Sequence, residues 1–175
     1  SYNGIDSMPH EDRLEALGEI RRVCQVGGWF VFSTHNLRSL AWQLLGLPIY
    51  WPWKFPYEIQ RRIRMSALNP NFRLLLKDKY AIFNEECQYA RWHRPHIKNT
   101  YYVDPRCEIE RLHALGFGNV RIFALNGTEI KTVAQLNKSR DPWLYFMCQA
   151  RDGMQAVEER QQSTLQIPGS FDESV

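Results

Sequence analysis

The sequence predicts an α/β fold built on a sheet with parallel strands, and three stretches carry that prediction. Within Asp12 to Asn36, Leu14, Leu17, Ile20, Val23 and Cys24 recur at spacings of three and four, which draws one apolar stripe down a helix. Trp29 to Phe32 follows as an unbroken apolar run, suited to a strand buried on both faces of a parallel sheet. A second helix over 105–116, with Ile109, Leu112 and Leu115 inward, runs into a second strand from Asn119 to Leu125. Trp143 to Gln149 then alternates, with Leu144, Phe146 and Cys148 to one side and Trp143, Tyr145 and Met147 to the other.

The first helix is the best specified element. Glu15, Glu19, Arg21 and Arg22 take its wet side, with early acids and late arginines matching the helix dipole. Gly27-Gly28 stops it, because glycine reaches positive φ without steric cost. The strand that follows ends in Ser33, Thr34, His35 and Asn36. Polar groups just past the carboxyl end of a parallel strand lie where open α/β sheets bind ligands. The competing reading is that they cap the strand and begin a loop.

Ahead of that helix, residues 1–10 read as a loop over the same edge, with Asn3-Gly4 forming a tight turn. Asp6 or Ser7 is a cap for a short turn before the helix. Residues 37–57 open with an apolar segment, Leu40, Trp42, Leu44, Leu45 and Leu47, before Pro48; Tyr50, Trp51, Trp53, Phe55 and Tyr57 then interleave with Pro48, Pro52 and Pro56 as a stiff extended segment carrying large rings. It reads as a satellite core, as a wall of an acceptor pocket, or as an exposed patch. Residues 57–79 are helical, with Ile59, Ile63 and Ala67/Leu68 on one side and Arg61, Arg62 and Arg64 on another. Those arginines suit a solvated face, and a phosphate-bearing acceptor is the sharper alternative. Tyr80 to Phe83 and Thr100 to Val103 pair as a long hairpin. His93 and His96 near Glu85, Glu86 and Cys87 lack the spacing of a metal site, so none is expected. Asp104-Pro105 starts the next helix, residues 128–141 are loop, and the polar composition after Arg151 predicts a flexible tail with a helical stub over Met154 to Gln162.

Taken in order, Ser1-Tyr2-Asn3-Gly4-Ile5-Asp6, Glu19-Ile20-Arg21-Arg22-Val23, Gly27-Gly28 and Phe30-Val31-Phe32-Ser33 resemble the second half of a class I S-adenosylmethionine-dependent methyltransferase. Leu115-Gly116-Phe117 before Asn119-Val120-Arg121-Ile122 is similar to that family's junction into its sixth strand, and Trp143 to Ala150 to its antiparallel seventh. The usual Lys-Pro before the glycine pair is Gln25-Val26 here, which affects turn stiffness more than chemistry. The resemblance implies a partial Rossmann-like fold, strands five to seven with flanking helices, formed by residues 1–36 and 104–150. Residues 37–103 would be an inserted, aromatic-rich cap on the acceptor side, and 151–175 a tail. It implies S-adenosylmethionine as cofactor, touched here by Tyr2, Asn3, Gly4 and Ile5. The family's glycine-rich cofactor loop has no counterpart in this sequence: Gly116-Phe117-Gly118 follows a helix and reads as its cap. The chain therefore reads as the C-terminal half of an enzyme, its missing N-terminal half being a partner.

Composition narrows the alternatives. Hydrophobic residues at 44% and charged residues at 23% describe a globular domain, and 175 residues suffice for one real core. A net charge of +3 gives no basic footprint for nucleic acid, and no apolar stretch approaches membrane-spanning length. The four cysteines show neither Cys-x-x-Cys nor a disulfide framework, so a reducing cytoplasm is the simplest setting.

Methyl transfer from a sulfonium requires an acceptor held in line and, for a hydroxyl or amine, a base. His35, at the end of the first strand, is the candidate base. Asn36 is a candidate for orienting the acceptor, and Tyr101, Tyr102, Trp51 and Trp53 for binding it. The expected function is methyl transfer to an oxygen or nitrogen of a small or medium acceptor. The rival from another class is a non-catalytic α/β binding or scaffolding module built on the same half-fold.

Overall fold

The computed structural model describes residues 4–45, 55–87 and 96–152. Tyr2, Asn3, Trp51, Trp53, His93 and the expected tail from residue 153 on lie outside the described residues, while Arg151 is held by its N–H to the Gly116 carbonyl. A 3-10 turn over Gly4–Ser7 leads into α1 (His10–Val23), β1 (Trp29–Asn36) and α2 (Leu37–Leu45). Next come α3 (Phe55–Leu68), a single-turn α4 (Phe72–Leu75) and the strands β2 (Tyr80–Cys87) and β3 (His96–Val103). The last third holds α5 (Pro105–Ala114), β4 (Phe117–Phe123), β5 (Glu129–Ile130), α6 (Val133–Lys138) and β6 (Trp143–Ala150).

The strands form one six-stranded mixed sheet in the order β2-β3-β1-β6-β4-β5, flanked by helices. This architecture is consistent with the Rossmann-like arrangement that the motifs imply. β6 is antiparallel to both of its neighbours, β1 and β4, as expected for the last strand. β1 pairs with β6 along most of its length, from Trp29 opposite Gln149 to His35 opposite Trp143. Its parallel pairing with β3 is confined to His35 opposite Tyr102 and Asn36 opposite Val103.

Two apolar cores result. One gathers Leu17 of α1, Phe32 of β1, Leu112 of α5, Phe117 and Ile122 of β4, and Leu144, Phe146 and Cys148 of β6. The other gathers Leu37, Leu40 and Leu44 of α2, Met65 of α3, Ala81 and Phe83 of β2, and Tyr102 of β3. Residues 37–103 thus carry a core of their own, yet their β2–β3 hairpin continues the main sheet.

Three local expectations need correction. β1 is not buried on both faces at its start: Trp29 is 43% and Val31 50% exposed, while Phe32 is 1%. The alternation arises because Phe30 and Phe32 face the core under α1 and α5, whereas the intervening residues face the other side. On α1, Val23 lies 67% exposed at the helix end, while Arg13 is fully buried. Residues 128–141 are not wholly loop: β5 and α6 form there, and α6 starts on a capping box in which Thr132 and Gln135 bond each other's backbone N–H.

The turns behave as their glycines require. Gly27 adopts φ +80°, and its N–H bonds the carbonyl of Ala150, fastening the α1–β1 turn to the end of β6. Gly116 ends α5 at φ +89°, with its carbonyl accepting from Arg21 Nε at 3.0 Å.

Candidate active site

The carboxyl end of β1 delivers Ser33, Thr34, His35 and Asn36 to one place, and all but His35 are buried. The 3-10 turn crosses beside it and inserts Asp6, 1% exposed. Oδ2 of Asp6 accepts from the His35 backbone N–H at 2.8 Å and lies 2.7 Å from Nδ1 of its ring. Oδ1 accepts from the Thr34 hydroxyl at 2.8 Å. An ionised carboxylate only accepts, so Nδ1 carries the proton. Nε2 lies on the opposite side of the ring, turned away from Asp6. The His35 side chain is 17% exposed. Its ring lies 5.1 Å from that of Tyr102 and 6.3 Å, edge-on, from that of Trp143.

Behind Asp6 stands a buried ionic layer. Arg13 Nε is 3.7 Å from Asp6 Oδ1. Its guanidinium donates to both oxygens of Glu108, at 2.8 and 3.3 Å, and to the Thr34 hydroxyl at 3.4 Å. Arg111 donates to Glu108 at 2.7 Å from one turn along α5. Two carboxylates and two guanidiniums therefore balance, as burial of charge demands. Burial by itself would loosen the Arg13 proton; the Glu108 charge and hydrogen bond, with Asp6 and Tyr101, outweigh it and hold the guanidinium above its ordinary value. Arg13 also sits 4.5 Å over the ring of Tyr101.

Tyr101 itself is fully buried, and its hydroxyl pKa is pushed up to about 12, chiefly by burial. That hydroxyl lies 2.8 Å from Nδ1 of His10, whose ring stacks on Tyr80 at 3.8 Å between centroids. Tyr102 points to the other face of β3, where its hydroxyl donates to Glu85, which also accepts from Thr100 at 3.2 Å. Burial first and Glu85 second hold the Tyr102 hydroxyl well above its ordinary value.

The remaining candidates divide. Asn36 uses both ends of its amide within the chain, donating to the Asp141 carbonyl and accepting from the Arg38 N–H, each at 3.1 Å. Gly4 is exposed at the start of the 3-10 turn, whereas the Ile5 side chain belongs to the first core. Among the described residues, no group of three or more His, Cys, Asp or Glu side chains is placed to hold a metal, and no helix is long and apolar enough to cross a membrane.

Sequence reasoning took Asp6 only for a cap and passed over Arg13 and Glu108. A signal was present. Arg13, Leu17, Ile20 and Cys24 share one stripe of α1, and Glu108, Leu112 and Leu115 one stripe of α5. Opposite charges on the apolar stripes of two helices that cover one core are expected to meet.

No family model and no curated protein matches the chain. Among solved structures it is similar to a SAM-dependent methyltransferase from Methanosarcina mazei, with a TM-score of 0.43 and 11% identity over 86% of this chain. The chain spans 57% of that protein. A likeness of that strength carries no inference about activity.

Proposed function

We propose that this chain is the acceptor-side, C-terminal part of an S-adenosylmethionine-dependent methyltransferase acting on an oxygen or nitrogen of a small or medium acceptor. The observation that carries the reading is the Asp6–His35 pair at the carboxyl end of β1. A histidine with Nδ1 fixed by a buried carboxylate and Nε2 turned away from it has the form of an oriented general base. The reaction class comes from the motifs, above all Glu19-Ile20-Arg21-Arg22-Val23, Gly27-Gly28 and the run into Ser33.

His35 Nε2 would accept the proton that the acceptor's hydroxyl or amine loses. Tyr102 and Trp143, whose rings lie beside His35, would form the wall there, and Trp51 and Trp53 remain acceptor-binding candidates. Asn36 and Tyr101, both buried, would shape the site from behind without touching the acceptor.

The cofactor, when bound, supplies an electrophilic methyl group. The residues in hand fit only one end of it: Gly4 offers open backbone, Ile5 only its main chain, and Tyr2 and Asn3 would join them. A glycine-rich loop preceding this chain would hold the rest. Cys24, Cys107 and Cys148 are free, which fits a cytoplasmic setting.

Calorimetric titration of S-adenosylmethionine into this chain and into an upstream-extended version tests the reading. Heat of binding with the extended protein is the expected result. Binding by neither would overturn the assignment in favour of a non-catalytic α/β binding module.

A further inference from the structure

We propose that Arg13 is a positioning residue for His35, acting through Thr34 and Asp6 from the apolar stripe of α1. The proposal rests on His35 being the base, but concerns how its ring is held.

Asp6 has two oxygens and divides them. Oδ2 serves His35 twice, through the backbone N–H and Nδ1. Oδ1 meets the Thr34 hydroxyl at 2.8 Å and faces Arg13 Nε at 3.7 Å. A carboxylate anchored on one oxygen alone can turn about its own bonds. At 1% exposure bulk solvent does not reach the carboxylate to replace a lost partner. The orientation of Oδ2 toward His35 therefore depends on what grips Oδ1.

That grip is itself fixed from elsewhere in the fold. The Arg13 guanidinium is held in its plane by both oxygens of Glu108 on α5 and lies over the Tyr101 ring on β3. Glu108 is fixed again by Arg111. Two helices and a strand thus set the plane of one fork, and that fork sets one carboxylate. Stability alone does not explain the layer, because well-packed apolar residues of similar volume commonly serve as well as a buried ion pair or better. A carboxylate that must hold a histidine in one orientation needs a rigid cation behind it, and arginine supplies one.

The test reads the His35 ring directly, in the full chain, with no cofactor or acceptor. Nitrogen-15 NMR of the ring, assigned by loss of its signals in His35→Gln, gives the ratio of the two neutral tautomers. In the unaltered chain the proton should favour Nδ1 by roughly tenfold or more, as a charge-assisted hydrogen bond requires. Thr34→Val keeps the shape and removes the hydroxyl between Arg13 and Asp6. The paired substitution Arg13→Met with Glu108→Met removes the fork and its counter-charge together. Each should lower the ratio at least threefold while the amide spectrum stays dispersed. An unchanged ratio in both, or in Thr34→Val where the pair fails to fold, would overturn the proposal and leave Arg13 a structural cation. Asp6→Asn separates the two readings. If it leaves the ratio unchanged, the Asp6–His35 pair is not the orienting contact, and the base assignment fails with it. If the tautomer responds as expected but the extended protein takes up no cofactor, only the methyltransferase reading fails.

Discussion

Asp6 and His35 are 29 residues apart in sequence, yet one carboxylate oxygen holds both the backbone N–H and the ring Nδ1 of the histidine, at 2.8 and 2.7 Å. The backbone contact fixes where the residue sits, and the ring contact fixes which way it faces.

Loss of either partner should show in the chemical step. On the proposed reading, His35→Gln in the upstream-extended protein should lower kcat by about 10²–10⁴-fold, the usual contribution of a positioned base. Asp6→Asn should lose a large part of the same factor with little change in KM, since the amide no longer selects the tautomer. Initial rates at saturating acceptor decide. A kcat within about twofold of the unaltered enzyme for His35→Gln would remove histidine from the mechanism.

The ionic layer should be costly to break and cheap to replace. Arg13→Ala leaves Glu108 and Asp6 buried beside one fewer cation and should destabilise the fold by about 3–5 kcal/mol. The pair Arg13→Met with Glu108→Met should cost less, since the carboxylate that Arg13 pairs with most closely leaves together with it. Urea denaturation of the two variants measures the contrast, and equal losses would contradict a coupled pair.

His10 makes stability depend on mild acid. Burial first, and then the Arg111 charge, hold its pKa below the ordinary 6.5. The unfolded chain therefore takes up the proton first as pH falls. This group's contribution is intact above about 6.5 and is lost as pH drops from there to the folded value, below which it stays constant. Protonation would place a proton on Nδ1, 2.8 Å from the Tyr101 hydroxyl, whatever its role in the neutral ring. The urea midpoint should fall as pH drops below about 6.5, and less steeply in His10→Gln.

Cys148 reports on the integrity of β6. Its side chain is fully buried, its thiol lies 3.7 Å from the Phe30 carbonyl, and burial pushes its pKa up to about 12. A thiol reagent at neutral pH should spare Cys148 in the native chain and label it after denaturation, as read by peptide mass spectrometry. Native labelling at the rate of an open thiol would mean that β1 and β6 separate.

Much of this fold is legible in local pattern. The α1 stripe, the glycine turn into β1, the β2–β3 hairpin, the Asp104-Pro105 start of α5 and the alternation of β6 all follow from spacing and turn chemistry. The capping box of α6 was equally legible, as Thr132 and Gln135 stand three apart, yet polar composition masked it. The open face at Trp29 was not legible, because an unbroken apolar run does not say which of its sides a helix will cover.

The sequence by itself determined α1, β1, the β2–β3 hairpin, α5, β6 and the position of His35 at a strand end, since hydrophobic period and glycine placement act within a few residues. Only the tertiary structure decided what surrounds that histidine. Asp6 reaches it from a turn before α1, and Arg13 meets Glu108 across 95 residues. Local period places Arg13 and Glu108 on their stripes, but only the tertiary structure closes those stripes on one core and brings their charged members together, and Asp6 shares no such stripe.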